Sequence, residues 1–144
     1  MKIIGSILIV VASIFCAFTY EKKLKEQEKR VKDLISFVNY VKNKILYFST
    51  PIKEIIDGYE DKNDISNYIN EDFSQLDKAD SQIVKNFFSN LGQGFKSEQI
   101  ALCDYTDSQL NKSLNCINEK NPNKIKIFRA FSLFASISLI IFII

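Results

Sequence analysis

Two long uncharged stretches, one at each end, constrain this chain more than anything else in its sequence. Ile3 to Tyr20 is 18 residues without a charge, and Ala130 to Ile144 is 15. At roughly 1.5 Å per helical residue the first reaches about 27 Å, close to the thickness of a bilayer's hydrocarbon core. The second is shorter, and Ile127 and Phe128 extend it if Arg129 snorkels toward the headgroups. Both are expected to be transmembrane helices, over residues 1–20 and 125–144.

A cleaved leader is the competing reading of the first stretch. It needs a basic region before the apolar core and a small-x-small cleavage site. Here only Lys2 precedes the core, the bulky Phe15 stands before Cys16, and the basic residues Lys22, Lys23, Lys25, Lys29, Arg30 and Lys32 follow it. An uncleaved anchor is therefore expected. Lys112, Lys120, Lys124, Lys126 and Arg129 precede the second stretch and nothing basic follows it. Retention of Lys and Arg on the cytoplasmic side then puts residues 21–124 in the cytoplasm and both termini across the membrane. Cys16, Cys103 and Cys116 fit a reducing compartment and read as small buried apolar side chains.

The middle of the chain is helical in period, without strand-like alternation. The expected fold is all-α, a small cytoplasmic helical bundle flanked by the two transmembrane helices. Val31, Leu34, Ile35, Val38, Val41, Ile45 and Phe48 repeat at three and four, with Lys29, Asp33, Asn39, Asn43 and Lys44 on the wet face. The stretch YFSTPIKEII then breaks the pattern and restarts it. Thr50 is expected as N-cap and Pro51 at the first helical position, making a corner without a ligand. That second helix should stop at Gly58 with a positive φ.

A third helix is expected from Asp64 through Leu76, and a fourth from about Asp80, burying Ile83, Val84, Phe87, Phe88 and Leu91 and ending at Gly92. Ser97 is the expected cap of a fifth, whose Ile100, Cys103, Leu110, Leu114 and Ile117 follow a heptad with Asp107 as its polar entry. Pro122 should interrupt that helix.

The chain has no histidine, no phosphate-binding glycine loop and no zinc-spaced cysteine pair. No catalytic, cofactor-binding or metal-binding residue is expected, and the protein is read as a non-enzyme. The basic stretch 22–32 is interleaved with Glu21, Glu26, Glu28 and Asp33, so nucleic acid is not expected as a partner, nor is a small-molecule substrate.

Two surface features remain. From Glu54 to Asp80 nine acids face Lys62 and Lys78, a local net of minus seven. Asp57, Glu60, Asp61, Glu71 and Asp72 are the candidates for docking a basic partner surface, against the plainer reading of a solvated face capped by Glu54, Asp64 and Asp80. Small residues mark the terminal stretches: Gly5 and Ala12, and Ser6 and Ser13, lie seven apart, while Ser132 and Ser136 form a small-xxx-small pair. These spacings would let membrane helices pack closely, with each other or with partner spans, and leave an oligomer open.

Taken in order, these stretches resemble the stage III sporulation protein AB family. MKIIGSILIVVAS resembles its N-terminal anchor, with Gly5 in place. NKILYFSTPIKEI resembles its E-I-x-Y-G-x-T-P-L-x-x-A stretch: Ile45, Tyr47, Thr50 and Pro51 match, while Ile52 replaces Leu, Phe48 replaces Gly and Lys44 replaces Glu. NLGQGFKSEQ resembles its L-G-x-x-D-x-x-x-Q segment through Leu91, Gly92 and Gln99, with Phe95 where the acid is expected. The chain departs further in having one helix fewer between the corner and Leu91, and in carrying Pro122 where the family keeps a long helix.

The resemblance implies a mother-cell membrane protein of the assembly joining mother cell and forespore. Its cytoplasmic domain would be similar to the inner-membrane platform protein of type II secretion. It would work beside a secretion-type ATPase and other sporulation channel membrane proteins. The rivals are a secreted helical protein with a cleaved leader, held by its C-terminal tail alone, and a small two-span membrane protein with no machine attached.

Overall fold

A computed structural model describes residues 2–48, 51–59, 62–70 and 72–143, with side chains placed from residue 10 onward except at 62–64, 67, 140 and 142–143. Among the described residues the only regular structure is helical: α1 (Lys2–Phe48), α2 (Ile52–Asp57), α3 (Lys62–Ile69), α4 (Lys78–Asn90) and α5 (Lys96–Ile143). The all-α expectation holds. Two compact units result, one of Met1–Glu26 with Cys116–Ile144, the other of Gln27–Asn115. Among the described residues no helix is long and apolar enough to cross a membrane.

In the unit of residues 27–115, α1 supplies the spine. Val31, Leu34, Val38, Val41 and Ile45 are buried as their spacing requires, and Ile35 is half-buried. Phe48 departs from expectation: it keeps the period but ends the helix, past the last packed turn, and is exposed. The fully buried ring of α1 is instead Phe37. It lies three residues after Leu34 and four before Val41, on the same stripe. Its ring meets Tyr59 edge-on at 5.1 Å, Phe87 edge-on at 6.4 Å and Phe88 in a stack at 5.8 Å. One aromatic side chain thus joins α1, the segment after α2, and α4.

Several boundaries differ from the sequence reading. α3 starts at Lys62 and ends at Ile69, so Asp64 lies within its first turn and Leu76 falls in the turn that follows. α4 starts at Lys78, with Asp77 as N-cap, and Val84 and Phe87 are its buried apolar residues while Ile83, Phe88 and Leu91 are half-buried. α5 begins at Lys96, one residue ahead of the expected cap Ser97. Its heptad buries Cys103, Leu110 and Ile117, with Ile100 and Leu114 half-buried. The polar entry Asp107 is satisfied: its Oδ1 accepts from Asn39 Nδ2 at 2.8 Å. Asn39 is therefore half-buried between α1 and α5, not on the wet face.

Pro122 does not interrupt α5. A helical proline leaves the carbonyl four residues earlier without its donor. Here that carbonyl belongs to Asn118, and both residues are exposed, so the unmet carbonyl is not sealed in a core. The cysteines also divide. Cys103 is buried, but Cys16 and Cys116 are exposed, against the expectation of three buried thiols.

Candidate functional site

Two of the stretches that carry the resemblance, forty residues apart in sequence, meet in space. At the first, Pro51 is itself the N-cap of α2, with φ −59° and ψ 139°, and its carbonyl accepts the Ile55 N–H at 3.1 Å. The expected cap, Thr50, lies outside the described residues, and Pro51 stands one position earlier than expected. An extended ψ suits a cap, and a cap needs no N–H of its own. α2 buries Ile55 and ends at Asp57. Gly58 has φ −85°, so the expected left-handed stop is not made. Space explains the glycine instead, because a Cβ there would stand 3.2 Å from the Tyr40 hydroxyl and 3.1 Å from the Glu54 carbonyl.

At the second stretch, α4 ends at Asn90 and Gly92 takes φ +85°, a conformation an L side chain adopts only under strain. A Cβ at Gly92 would sit 3.3 Å from Ile52 Cγ1, so α2's first residue rests on the turn. Gln99 closes it. Its buried side chain accepts the Gly92 N–H at 2.8 Å and donates to the carbonyl of Asn90 at 3.1 Å and to that of Gln93. Glu98 accepts the Phe95 N–H at 2.9 Å, half of a capping box for α5. Lys96 Nζ donates to the Leu46 carbonyl at 2.8 Å and ties the start of α5 to the last turn of α1. Tyr47, Phe48 and Phe95 project from this junction with 77%, 69% and 78% of their surface exposed.

The described acids of the stretch differ in their settings. Asp57 is exposed. Asp72 is exposed as well but accepts from both the backbone N–H and the hydroxyl of Ser74, which hold its pKa below the usual carboxylate value. Glu60, Asp61 and Glu71 lie outside the described residues. Asp77 leaves its cap role unfilled, and its Oδ2 accepts from Gln27 at 2.6 Å.

Asp80, expected as a surface cap, is only 2% exposed. The Ser113 hydroxyl bonds its carboxyl, Oδ1 has no partner, and burial raises its pKa, with Asp77 adding repulsion. The sequence carries no signal for this, since an acid near a helix start reads as a cap whichever side it faces. Burial likewise pushes the Cys103 thiol up to about 11, which makes it an inert core group.

In the other unit, α1 and α5 meet through small and polar groups. Ser132 Oγ donates to the Ser13 carbonyl at 2.9 Å, and Ser136 is buried. Ala12 is exposed, while Gly5 and Ser6 lie in the part of α1 whose side chains are not described. Tyr20 stacks on Phe128 at 4.3 Å, and Asn121 donates to the Leu24 carbonyl at 3.4 Å. Arg129 pairs with Glu21, which also accepts Lys25 at 2.9 Å, and the two cations hold the Glu21 pKa down.

Among the described residues no group of three His, Cys, Asp or Glu side chains could hold a metal ion. Of the matching residues in these two stretches, Ile45 is buried, Pro51 caps α2, Gly92 makes the turn after α4 and Gln99 closes it, while Tyr47 is exposed. What fold and site define is an all-helical protein whose corner and turn these residues close. A family model for stage III sporulation protein AB matches residues 2–67 and 64–144, and the chain belongs to that family. No curated protein and no solved structure matches it.

Proposed function

We propose that the chain is a non-enzymatic membrane scaffold of a sporulation complex between mother cell and forespore. Residues 1–20 and 125–144 anchor it, residues 21–124 work in the cytoplasm, and it acts beside a secretion-type ATPase. Family membership supports the sporulation role.

The anchor rests on one observation, the inverted arrangement of the unit formed by the chain ends. Its serines sit between the helices, while Val11, Ile14, Phe15, Phe18, Phe131 and Phe134 face outward, each more than half exposed. Water penalises such a surface at about 25 cal/mol per Å², whereas lipid does not. Arg129, paired with Glu21 and level with the Tyr20–Phe128 stack, belongs at the headgroup boundary, where aromatic rings and basic side chains collect.

The test is sidedness. Carbonate extraction should leave the chain in the membrane, and its mass should retain the first twenty or so residues. A membrane-impermeant maleimide should reach the exposed Cys116 only after permeabilisation. A shortened mass would favour the leader rival, and labelling of Cys116 from outside would reverse the topology.

A further inference from the structure

The junction of the two motif stretches ends in a surface the scaffold role leaves unused. Tyr47 and Phe48, in the last turn of α1, and Phe95, just before α5, are all mostly exposed. The Lys96 bond to Leu46 and the Gln99 bonds to Gly92 and Asn90 fix the backbone beneath them. Three rings on a fixed base lose little entropy on contact, which is the character of binding hot spots.

Their charge setting is one-sided. Between Asp33 and Glu54, and again between Asp80 and Glu98, the sequence has five lysines and no acid. Of the lysines, Lys42 is neutralised by Asp104 at 2.5 Å. The bordering acid Glu98 is spent on the Phe95 N–H. Lys44 stays beside the rings, its ammonium 5.1 Å from the centre of Phe48 and 5.5 Å from that of Tyr40. Lys53 lies next to Ile52, while the Lys96 ammonium is held by the Leu46 carbonyl.

The geometry points to a docking surface for an acidic segment of a partner protein, with an apolar side chain seated among Tyr47, Phe48 and Phe95 and flanking carboxylates toward Lys44 and Lys53. The inference rests on the membrane-scaffold reading above and adds the partner's chemistry to it. Two other occupants fit less well. A second copy of the same surface would bring like charges together. An anionic leaflet would engage the chain through the cluster of Lys22 to Lys32, which follows the proposed anchor directly in sequence, whereas Tyr47 comes fifteen residues after Lys32.

The experiment places the photo-crosslinker p-benzoylphenylalanine at position 95 of the full chain in sporulating cells and identifies the adduct's crosslinked peptide by mass spectrometry. A single heterologous adduct is expected, crosslinked within a few residues of Asp or Glu. Lys44→Glu should cut its yield at least about tenfold, and Glu→Lys in the partner peptide should restore it. Phe48→Ala, at an exposed site, should lower the yield while the melting temperature holds, which separates lost binding from lost fold.

An adduct to lipid, to a second copy of the chain or to a basic peptide overturns the inference, as does no adduct or a yield indifferent to Lys44→Glu. Carbonate extraction of the same cells separates the two failures. A chain released from the membrane sinks the scaffold reading, and a retained chain without the acidic adduct sinks only the docking surface.

Discussion

Gln99 and Gly92 form a side-chain-to-backbone lock: the Gln99 amide oxygen accepts the Gly92 N–H at 2.8 Å while its nitrogen donates to the Asn90 carbonyl at 3.1 Å. Both ends of one amide are used, so neither Glu nor Leu can stand in. Gln99→Leu leaves the turn's donor and acceptors without partners and should cost about 2–3 kcal/mol. Gly92→Ala should cost about 1–2 kcal/mol from its positive φ, with Ile52 forced to give way. Urea unfolding of the full chain in detergent is the measurement. A Gln99→Leu variant as stable as the wild type would mean the lock contributes nothing.

Phe37 and Phe48 carry opposite expectations despite equal size and hydrophobicity. Phe37→Ala removes a fully buried ring from among Tyr59, Phe87 and Phe88 and should cost about 3–5 kcal/mol. Phe48→Ala should stay within about 0.5 kcal/mol. Periodicity alone puts both rings on the buried stripe, so the pair tests whether the last member of that stripe is packed.

That contrast marks what the sequence made legible. The continuity of α1, the helix restart after the Thr-Pro pair and the turn at Leu91 and Gly92 follow from period and local chemistry, which neighbours in sequence decide. Phe37 keeps the α1 stripe, but nothing near it in sequence marks it as the ring that meets Tyr59, Phe87 and Phe88. Asn39 looks wet until Asp107 is placed opposite it, and Asp80 looks like a surface cap until Ser113 of α5 is placed beside it. Pro122 differs from expectation for another reason: a proline's cost depends on whether the freed carbonyl reaches water, and exposure is a tertiary property. The role of Gln99 is not legible in the sequence, since its partners are backbone atoms.

Pro122 should accordingly be a site of easy stabilisation. Pro122→Ala restores the donor to the Asn118 carbonyl and should strengthen α5 locally by up to about 3 kcal/mol. Hydrogen exchange at the amides following residue 122 reads this directly. Slower exchange is expected, and unchanged or faster exchange would mean the proline sits at a bend that alanine cannot relieve.

Asp80 gives the fold a pH dependence. Its folded-state pKa is raised above 3.8 because burial disfavours the carboxylate, so folding favours the protonated form. Its penalty is absent well below pH 3.8 and grows as pH rises through the raised folded value, so stability falls in that direction. Asp80→Asn cannot ionise and should lack this decline. Thermal melts of both chains from about pH 4 to about pH 8 should show the wild type losing stability relative to the variant. Parallel profiles would mean that folding does not raise the Asp80 pKa.

The acidic stretch tests the ATPase partnership through charge alone. Asp57, Glu60, Asp61 and Glu71 are the residues to reverse. Asp72 is better left, because its bonds to Ser74 hold the turn before α4 and its loss would confuse folding with binding. If these acids steer a basic partner surface, association of the full chain in lipid nanodiscs with the ATPase should weaken steeply with salt. Charge reversal at Asp57, Glu60 and Asp61 should slow the association rate by about tenfold or more and leave the dissociation rate nearly untouched, since rim charges act mainly on encounter. Reversal of Asp57 alone should change the melting temperature little, because its side chain is exposed. An association rate indifferent to both salt and reversal would return these acids to the role of a solvated surface, leaving the ATPase to be met elsewhere on the chain or not at all.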